Sequence, residues 1–256
     1  IFNFLKNIKS MEIIENGGTD SKPILITTKE NQRYILKKIE KKRDNALYLI
    51  AFNLHLKKKR IPVARFYGLK EPLLDSYIIQ IGDEEYVLMD YLKGKSISEE
   101  QLSFENIYDM AKIAVEIQNA VRDFHPKKIR RFLTREEILK NIPNLKYDSY
   151  FNDIKFIKMQ YEIFMKHWSL LKKYFVISHI HNDLHTGNMR FSAKGKVSGL
   201  FDIDYAQQDY RIGEFRALVL GKRHEFKKQR FFEILKIYQA QLSIQNSLSY
   251  LEILGI

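Results

Sequence analysis

His181-Asn182-Asp183-Leu184-His185-Thr186-Gly187-Asn188, followed by Leu200-Phe201-Asp202-Ile203-Asp204, is the stretch on which the reading of this chain turns. An Asp is followed five residues later by an Asn, and a second Asp ends a later apolar run. Those side chains suit phosphoryl transfer from a nucleotide. One carboxylate can accept the proton of an attacking hydroxyl. The Asn and the other carboxylate are hard oxygen ligands for magnesium beside the phosphates. Base and Asn need a common short loop to share a fixed geometry, and the second Asp then arrives from an adjacent hairpin.

Upstream, three weaker features fall in order. Glu15-Asn16-Gly17-Gly18-Thr19-Asp20 places a glycine pair between two strand-like runs, where backbone N–H groups can approach phosphate oxygens without a Cβ in the way. Arg33-Tyr34-Ile35-Leu36-Lys37 is a strand whose alternation puts Lys37 on the face of Ile35 and Ile39. A Lys on an apolar face needs an anionic partner. Glu85 to Asp90 is a strand leaving through Tyr91-Leu92-Lys93-Gly94, a connector able to offer a carbonyl and an N–H to a base.

The surrounding texture divides the chain. Pro23–Thr28, Arg33–Ile39, Ser76–Ile81 and Glu85–Asp90 read as strands, with a turn at Glu30-Asn31-Gln32. Asp44–Lys59 has helical periodicity, ended by Pro62. Ser103–Phe124 and Ile154–Tyr174 read as helices, as do Glu214–Leu220 and the chain from Phe226 onward. Phe175–Asp204 reads as strand, loop and a strand pair turning at Ala193-Lys194-Gly195-Lys196. The expectation is an α+β chain: a β-rich lobe over residues 1–92 and an α-rich lobe over residues 93–256.

In this order the features resemble the protein-kinase-like phosphotransferases, closest to the aminoglycoside phosphotransferase, choline kinase and spore-coat kinase-like branch. His181 to Asn188 is similar to the branch's His-x-Asp-x-His-x-x-Asn loop, and Leu200 to Ala206 to its metal-binding strand. Gln208 to Glu214 resembles the following segment in spacing, with Glu214 where an Asp is usual. The resemblance implies a bilobal protein-kinase-like fold, ATP and Mg2+ as cofactors, and a small-molecule hydroxyl as acceptor. It implies Asp183 as catalytic base and Asn188 and Asp202 as metal ligands. Gly17, Gly18 and Thr19 would cover the phosphates, and Lys37 would contact them. Met89 would line the back of the base pocket, with the Asp90 carbonyl and the Leu92 N–H on the base edge. His181 would brace the loop by hydrogen bonds, and Asp204 would either assist the metal or satisfy backbone donors. The family pairs its strand Lys with a helix Glu, yet Asp44–Lys59 holds none, leaving Asp44 and Glu40 as candidate partners. That absence motivates an alternative, a nucleotide-binding pseudokinase with a structural role.

Other classes are disfavoured. His179-x-His181-x-Asp183-Leu184-His185 nearly reproduces a dinuclear zinc signature, but Leu184 separates the Asp from the last His and only His224 follows. The absence of cysteine removes disulfides and thiolate chemistry. A net charge of +12 gathers at Lys37–Arg43, Lys57–Arg60, Lys127–Arg131 and Lys222–Arg230. None carries aromatics interleaved in the manner of a single-strand binding groove, so they read as solvated faces. No apolar run nears the ~20 residues of a membrane span. Ile1-Phe2-Asn3-Phe4-Leu5-Lys6 lacks a leader pattern, so no membrane partner and a cytoplasmic location are expected.

Overall fold

The computed structural model describes residues 7–15, 22–40, 42–68, 73–130, 162, 173, 175–220 and 228–241. The β-branched and aromatic runs of the first third form β1 (Ile8–Ile13), β2 (Ile24–Thr28), β3 (Arg33–Lys38), β4 (Phe66–Tyr67), β5 (Ile79–Ile81) and β6 (Glu84–Asp90). They make one antiparallel sheet ordered β1-β2-β3-β6-β4, with β5 also on β6. The β2–β3 turn falls at Glu30-Asn31-Gln32. Asn31 adopts a left-handed φ of 60°, which Asn tolerates, and its N–H donates to the Thr28 carbonyl at 2.8 Å.

One expected strand is corrected. Leu74–Tyr77 forms a 3-10 turn, and extended structure begins only at Ile79. The turn is closed locally, with Ser76 Oγ donating to the Leu73 carbonyl at 2.7 Å, and Asp75 within it pairs with the Arg43 guanidinium at 2.6 Å. The two-residue β4 was not anticipated, being too short to show a period.

The helix expected over Asp44–Lys59 is α1 (Arg43–Lys58), closed by Arg60 at φ 66° ahead of Pro62. α2 (Phe104–Ala120) continues into a 3-10 turn at Val121–Asp123, within the expected span. Its N-terminus is a capping box: Asn106 N–H donates to Ser103 Oγ at 3.3 Å, and Ser103 N–H to Asn106 Oδ1 at 2.9 Å. Met110, Ala111, Ala114 and Ile117, on one face of α2, are buried.

Beyond it, β7 (Ile177–Ile180) pairs with β10 (Gln207–Tyr210), and β8 (Met189–Phe191) pairs with β9 (Val197–Leu200) around the expected turn. α3 (Ile212–Leu220) and α4 (Lys228–Gln241) follow. Of the helix expected at Ile154–Tyr174, only Glu162 and Lys173 are among the described residues.

Two seams join the sheet to the rest. Leu200 N–H donates to the Pro62 carbonyl at 2.7 Å and its carbonyl accepts from Ala64 N–H at 3.1 Å, tying β9 to the segment after α1. Lys95 and Phe191 exchange two backbone bonds of 2.8 and 2.9 Å, tying β8 to the connector after β6. Around them runs one core that includes Phe52, Leu56, Val63, Ile117, Leu184, Phe191 and Leu200, all 0% exposed. Each such large side chain contributes roughly 1.5–3 kcal/mol by leaving water. The seams therefore hold the segment after β9 against β3.

Candidate active site

The loop after β7 is held from behind by one buried acid. Glu214, in the first turn of α3, is fully buried and accepts the Asn182 N–H at 2.8 Å and the His181 N–H at 3.3 Å. Asn182 sits in a left-handed conformation, φ 67°, that its short side chain tolerates and Glu214 secures. Burial pushes the Glu214 carboxyl up to about 7, against the pull of those two N–H groups. The His181 side chain is also buried, and burial holds its pKa below the ordinary value, so the ring is neutral. The bracing expected of His181 runs through its backbone N–H. Among the described residues no hydrogen bond of regular geometry reaches either ring nitrogen, and the Phe201 backbone acts on the ring from outside that geometry.

Asp183 and Asn188 face each other across the loop. Asn188 Nδ2 donates to Asp183 Oδ2 at 2.6 Å and to the Asp183 carbonyl at 3.1 Å. That commits the amide nitrogen and leaves Asn188 Oδ1 as the acceptor end. His185 Nδ1 accepts the Gly187 N–H at 3.0 Å, which places the ring proton on Nε2, 3.5 Å from Asp183 Oδ1. Burial raises the Asp183 pKa, but hydrogen bonds from His185 and Asn188 and the two neighbouring imidazoles outweigh it, and the net lies below the ordinary carboxylate value. Asp183 is thus an ionised, oriented carboxylate at neutral pH.

Lys37 meets this group from β3. Its Nζ lies 2.9 Å from Asp202 Oδ1 and 3.0 Å from Asp204 Oδ2. Burial pulls the Lys37 pKa down, but Asp204 and Asp202 outweigh it and hold the ammonium above its ordinary value. The two candidate partners from sequence are corrected: Asp44 pairs with Lys128 at 3.2 Å, and Lys37 takes Asp202 and Asp204 instead. The alternation was read correctly, since neighbouring Lys38 turns outward to Glu84. Lys37 thus finds its anionic partners on the segment after β9 rather than on α1. Asp202 is itself left-handed at φ 59° and ψ 62°, and a 3-10 turn at Ile203–Tyr205 brings Asp204 back beside it.

Met89 is buried at the back of the cleft. It lines a cavity of about 50 Å³ with Lys37, Val87, Phe201 and Asp202, and with Ala46, Leu49, Ile50 and Asn53 of α1. The next residue is anchored by its side chain: Tyr67 Oη donates to Asp90 Oδ1 at 2.5 Å and Arg65 N–H to Asp90 Oδ2 at 3.1 Å. The Arg65 N–H thus goes to the Asp90 carboxylate, outside the regular β4 ladder. Leu92 lies against Gly199, and Gly94 (φ 131°) passes so close to β8 that a Cβ there would stand 2.8 Å from the Phe191 carbonyl. The connector therefore runs along the floor formed by β8 and β9. Gly17, Gly18 and Thr19 lie outside the described residues.

The sequence reading did not foresee the buried tie from Glu214 to the loop, the Tyr67 anchor, or Arg130, whose Nη1 donates to the Asp204 carbonyl. The family spacing marked Glu214 as a position of interest. No sequence signal marked the other two. In the basic runs Lys38 pairs with Glu84, Arg43 with Asp75 and Glu85, and Lys59 with Asp123 on exposed faces, whereas Lys37 and Arg130 point inward, which corrects the solvated-face reading at those two positions. Among the described residues no group of three or more His, Cys, Asp and Glu with metal-site geometry occurs. Nor is any described helix long and apolar enough to cross a membrane.

A sequence model described as the phosphotransferase enzyme family matches residues 12–227. No significant match occurs among curated protein sequences. Solved structures share the architecture. The amicoumacin kinase hAmiN in complex with AMP-PNP, Ca2+ and Ami is 15% identical, with a TM-score of 0.69 over 91% of this chain and 73% of that one. The choline kinase LicA from Streptococcus pneumoniae is 19% identical, with a TM-score of 0.64 over 96% and 79%. The streptomycin-ATP-APH(2'')-IIa ternary complex is 20% identical, with a TM-score of 0.58 over 93% and 79%. The fold is the α+β protein-kinase-like fold of these enzymes.

Proposed function

This chain belongs to the phosphotransferase enzyme family, and from that membership we propose that it is a small-molecule kinase moving the γ-phosphate of ATP to a hydroxyl group with Mg2+. Residues 1–92 serve as the nucleotide lobe and residues 93–256 as the catalytic and acceptor lobe. The observation that carries the reading is the 2.6 Å bond from Asn188 Nδ2 to Asp183 Oδ2. It locks the base to a neighbour whose remaining oxygen is a hard ligand. The nucleotide follows from the family chemistry and accords with the AMP-PNP and ATP named for the related enzymes. Amicoumacin, choline and streptomycin, as named for those proteins, support a reading of the acceptor as a small molecule with a hydroxyl group.

The residues fit the divalent ion. Asn188 Oδ1 and Asp202 are hard oxygen donors on adjoining segments, and Asp202 is already charge-paired with a cation, Lys37. When bound, magnesium neutralises charge on the phosphates and the leaving group. The chain does the rest. Asp183, ionised and fixed by Asn188 and His185, orients the acceptor hydroxyl and accepts its proton at a carboxylate oxygen. Lys37, whose ammonium lies between Asp202 and Asp204, supplies positive charge to the phosphates. The Asp90 carbonyl and Leu92 N–H bind the base edge, and Met89 closes the pocket behind it. Gly17, Gly18 and Thr19 cover the phosphates.

The test separates binding from chemistry. Asp183→Asn is expected to bind ATP with magnesium almost as the wild type does, while transfer to an accepted hydroxyl falls by about 10²–10⁴. Asp202→Ala is expected to lose magnesium-dependent binding. Wild-type transfer in the Asp183 variant would remove the base from the proposal.

A further inference from the structure

The stretch after α2 ends in an arginine that no part of the mechanism above uses. The Arg130 side chain, 2% exposed, is among the largest fully buried in the protein. Burying a guanidinium is unfavourable unless its donors are well matched. Its Nη1 donates to the Asp204 carbonyl, and the Arg130 carbonyl accepts the Gln208 N–H at 3.0 Å. One residue thus grips the segment from 204 to 208 at both ends.

That segment needs a grip. It begins with Asp202 in a left-handed conformation that a non-glycine residue holds only when its surroundings fix it. It then makes a single short turn closed by the 2.9 Å bond from Ala206 N–H to the Ile203 carbonyl. The two polar groups of Asp204 go to different cations: its carboxylate to Lys37 at 3.0 Å and its carbonyl to Arg130. α1 offers Lys37 no acid, presenting Ala46, Leu49, Ile50 and Asn53 to the same cavity. The acids that hold Lys37 therefore come from this turn and not from α1, and the Asp204 carbonyl of the turn is held by Arg130.

We propose that Arg130 is a positioning residue for magnesium–nucleotide binding: its Nη1, on the Asp204 carbonyl, holds the Asp202–Asp204 turn with both carboxylates toward Lys37. A lysine in its place keeps the charge and a donor for the carbonyl but loses the planar group that fills this buried space. The inference rests on Asp202 being a metal ligand, as proposed above.

Two measurements on the full chain test it. Hydrogen exchange in the ligand-free protein reads the turn directly. In Arg130→Met the amides of residues 201–206 should exchange roughly tenfold faster, while those of α2 keep their wild-type protection. Calorimetry with ATP and magnesium should give a Kd raised by about 10–100-fold, the range seen when an outer-shell partner of a metal ligand is lost. Arg130→Lys should recover part of both effects, and it stays informative where the Met variant does not fold. Tyr48→Phe loosens the same neighbourhood by removing the 3.0 Å bond from Tyr48 to His179, and should lower Tm without changing Kd. An unchanged Kd in Arg130→Lys and Arg130→Met, or an equal rise in Tyr48→Phe, overturns the assignment. If Asp202→Ala also binds normally, the metal reading itself fails; if only that variant loses binding, the role of Arg130 alone is refuted.

Discussion

Replacing Glu214 by Gln changes two things that the geometry separates. The wild-type carboxylate accepts two backbone N–H groups, from His181 and Asn182, in a fully buried site. A Gln amide accepts with one oxygen and presents an NH2 to the other N–H. One buried donor is left unmatched, at about 1–3 kcal/mol, at every pH. The second effect depends on pH. Burial raises the folded carboxyl from 4.5 to about 7, so between those values the folded protein binds a proton that the unfolded chain has released. Wild-type stability therefore carries a contribution that is full below 4.5, declines as pH rises, and is gone above about 7. At about 1.4 kcal/mol per pH unit this amounts to roughly 3 kcal/mol. Gln does not titrate. Denaturant unfolding of ligand-free wild type and Glu214→Gln from pH 4.5 to 8 should show the wild-type advantage shrinking by that amount. Parallel curves would refute the argument, because they would mean that Glu214 titrates at its ordinary value and that the N–H groups outweigh its burial.

Three further outcomes follow from the same geometry. His179 has the opposite slope: burial lowers its pKa from 6.5 to about 4, so stability rises by roughly 3 kcal/mol over that interval and is lost again on acidification. His179→Gln should flatten that limb and expose the opposing Glu214 slope in denaturant titrations, and an unchanged acid limb would count against it. Gly94→Ala places a Cβ 2.8 Å from the Phe191 carbonyl at a φ of 131°, which should cost about 2 kcal/mol or more and displace the connector, read as a fall in Tm with a weaker ATP Kd. Asn53 Oδ1 is buried with no donor among the described residues, so Asn53→Leu should stabilise the protein by about 1 kcal/mol, raising Tm by roughly 2–4 °C, whereas a lower Tm would show that the amide is satisfied.

Much of the fold was legible locally. Periodicity placed α1 and α2, alternation placed β2, β3 and β6, and the glycine-containing turn placed the β8–β9 hairpin, because each rests on contacts within a few residues. The expectation at Ser76–Ile81 failed for the complementary reason. Its first half belongs to a 3-10 turn whose Asp75 pairs with Arg43, 32 residues away, a contact no local pattern shows.

For the site, spacing alone set Asp183 and Asn188 on one loop, since five residues is the reach of the bond that joins them. Alternation also required an acid for Lys37. It could not say which, because the partner lies 165 residues along the chain and arrives only when β9 is stitched to the segment after α1. Tertiary structure likewise decided that Glu214 holds the loop through its backbone and that Arg130 grips the turn of Asp204. Backbone groups are the same in every residue, so a side chain that acts on them leaves no partner to find in the sequence. Local pattern determined which chemistry this chain carries, and packing decided which charges meet, because electrostatic pairing in a buried cleft depends on distance in space rather than along the chain.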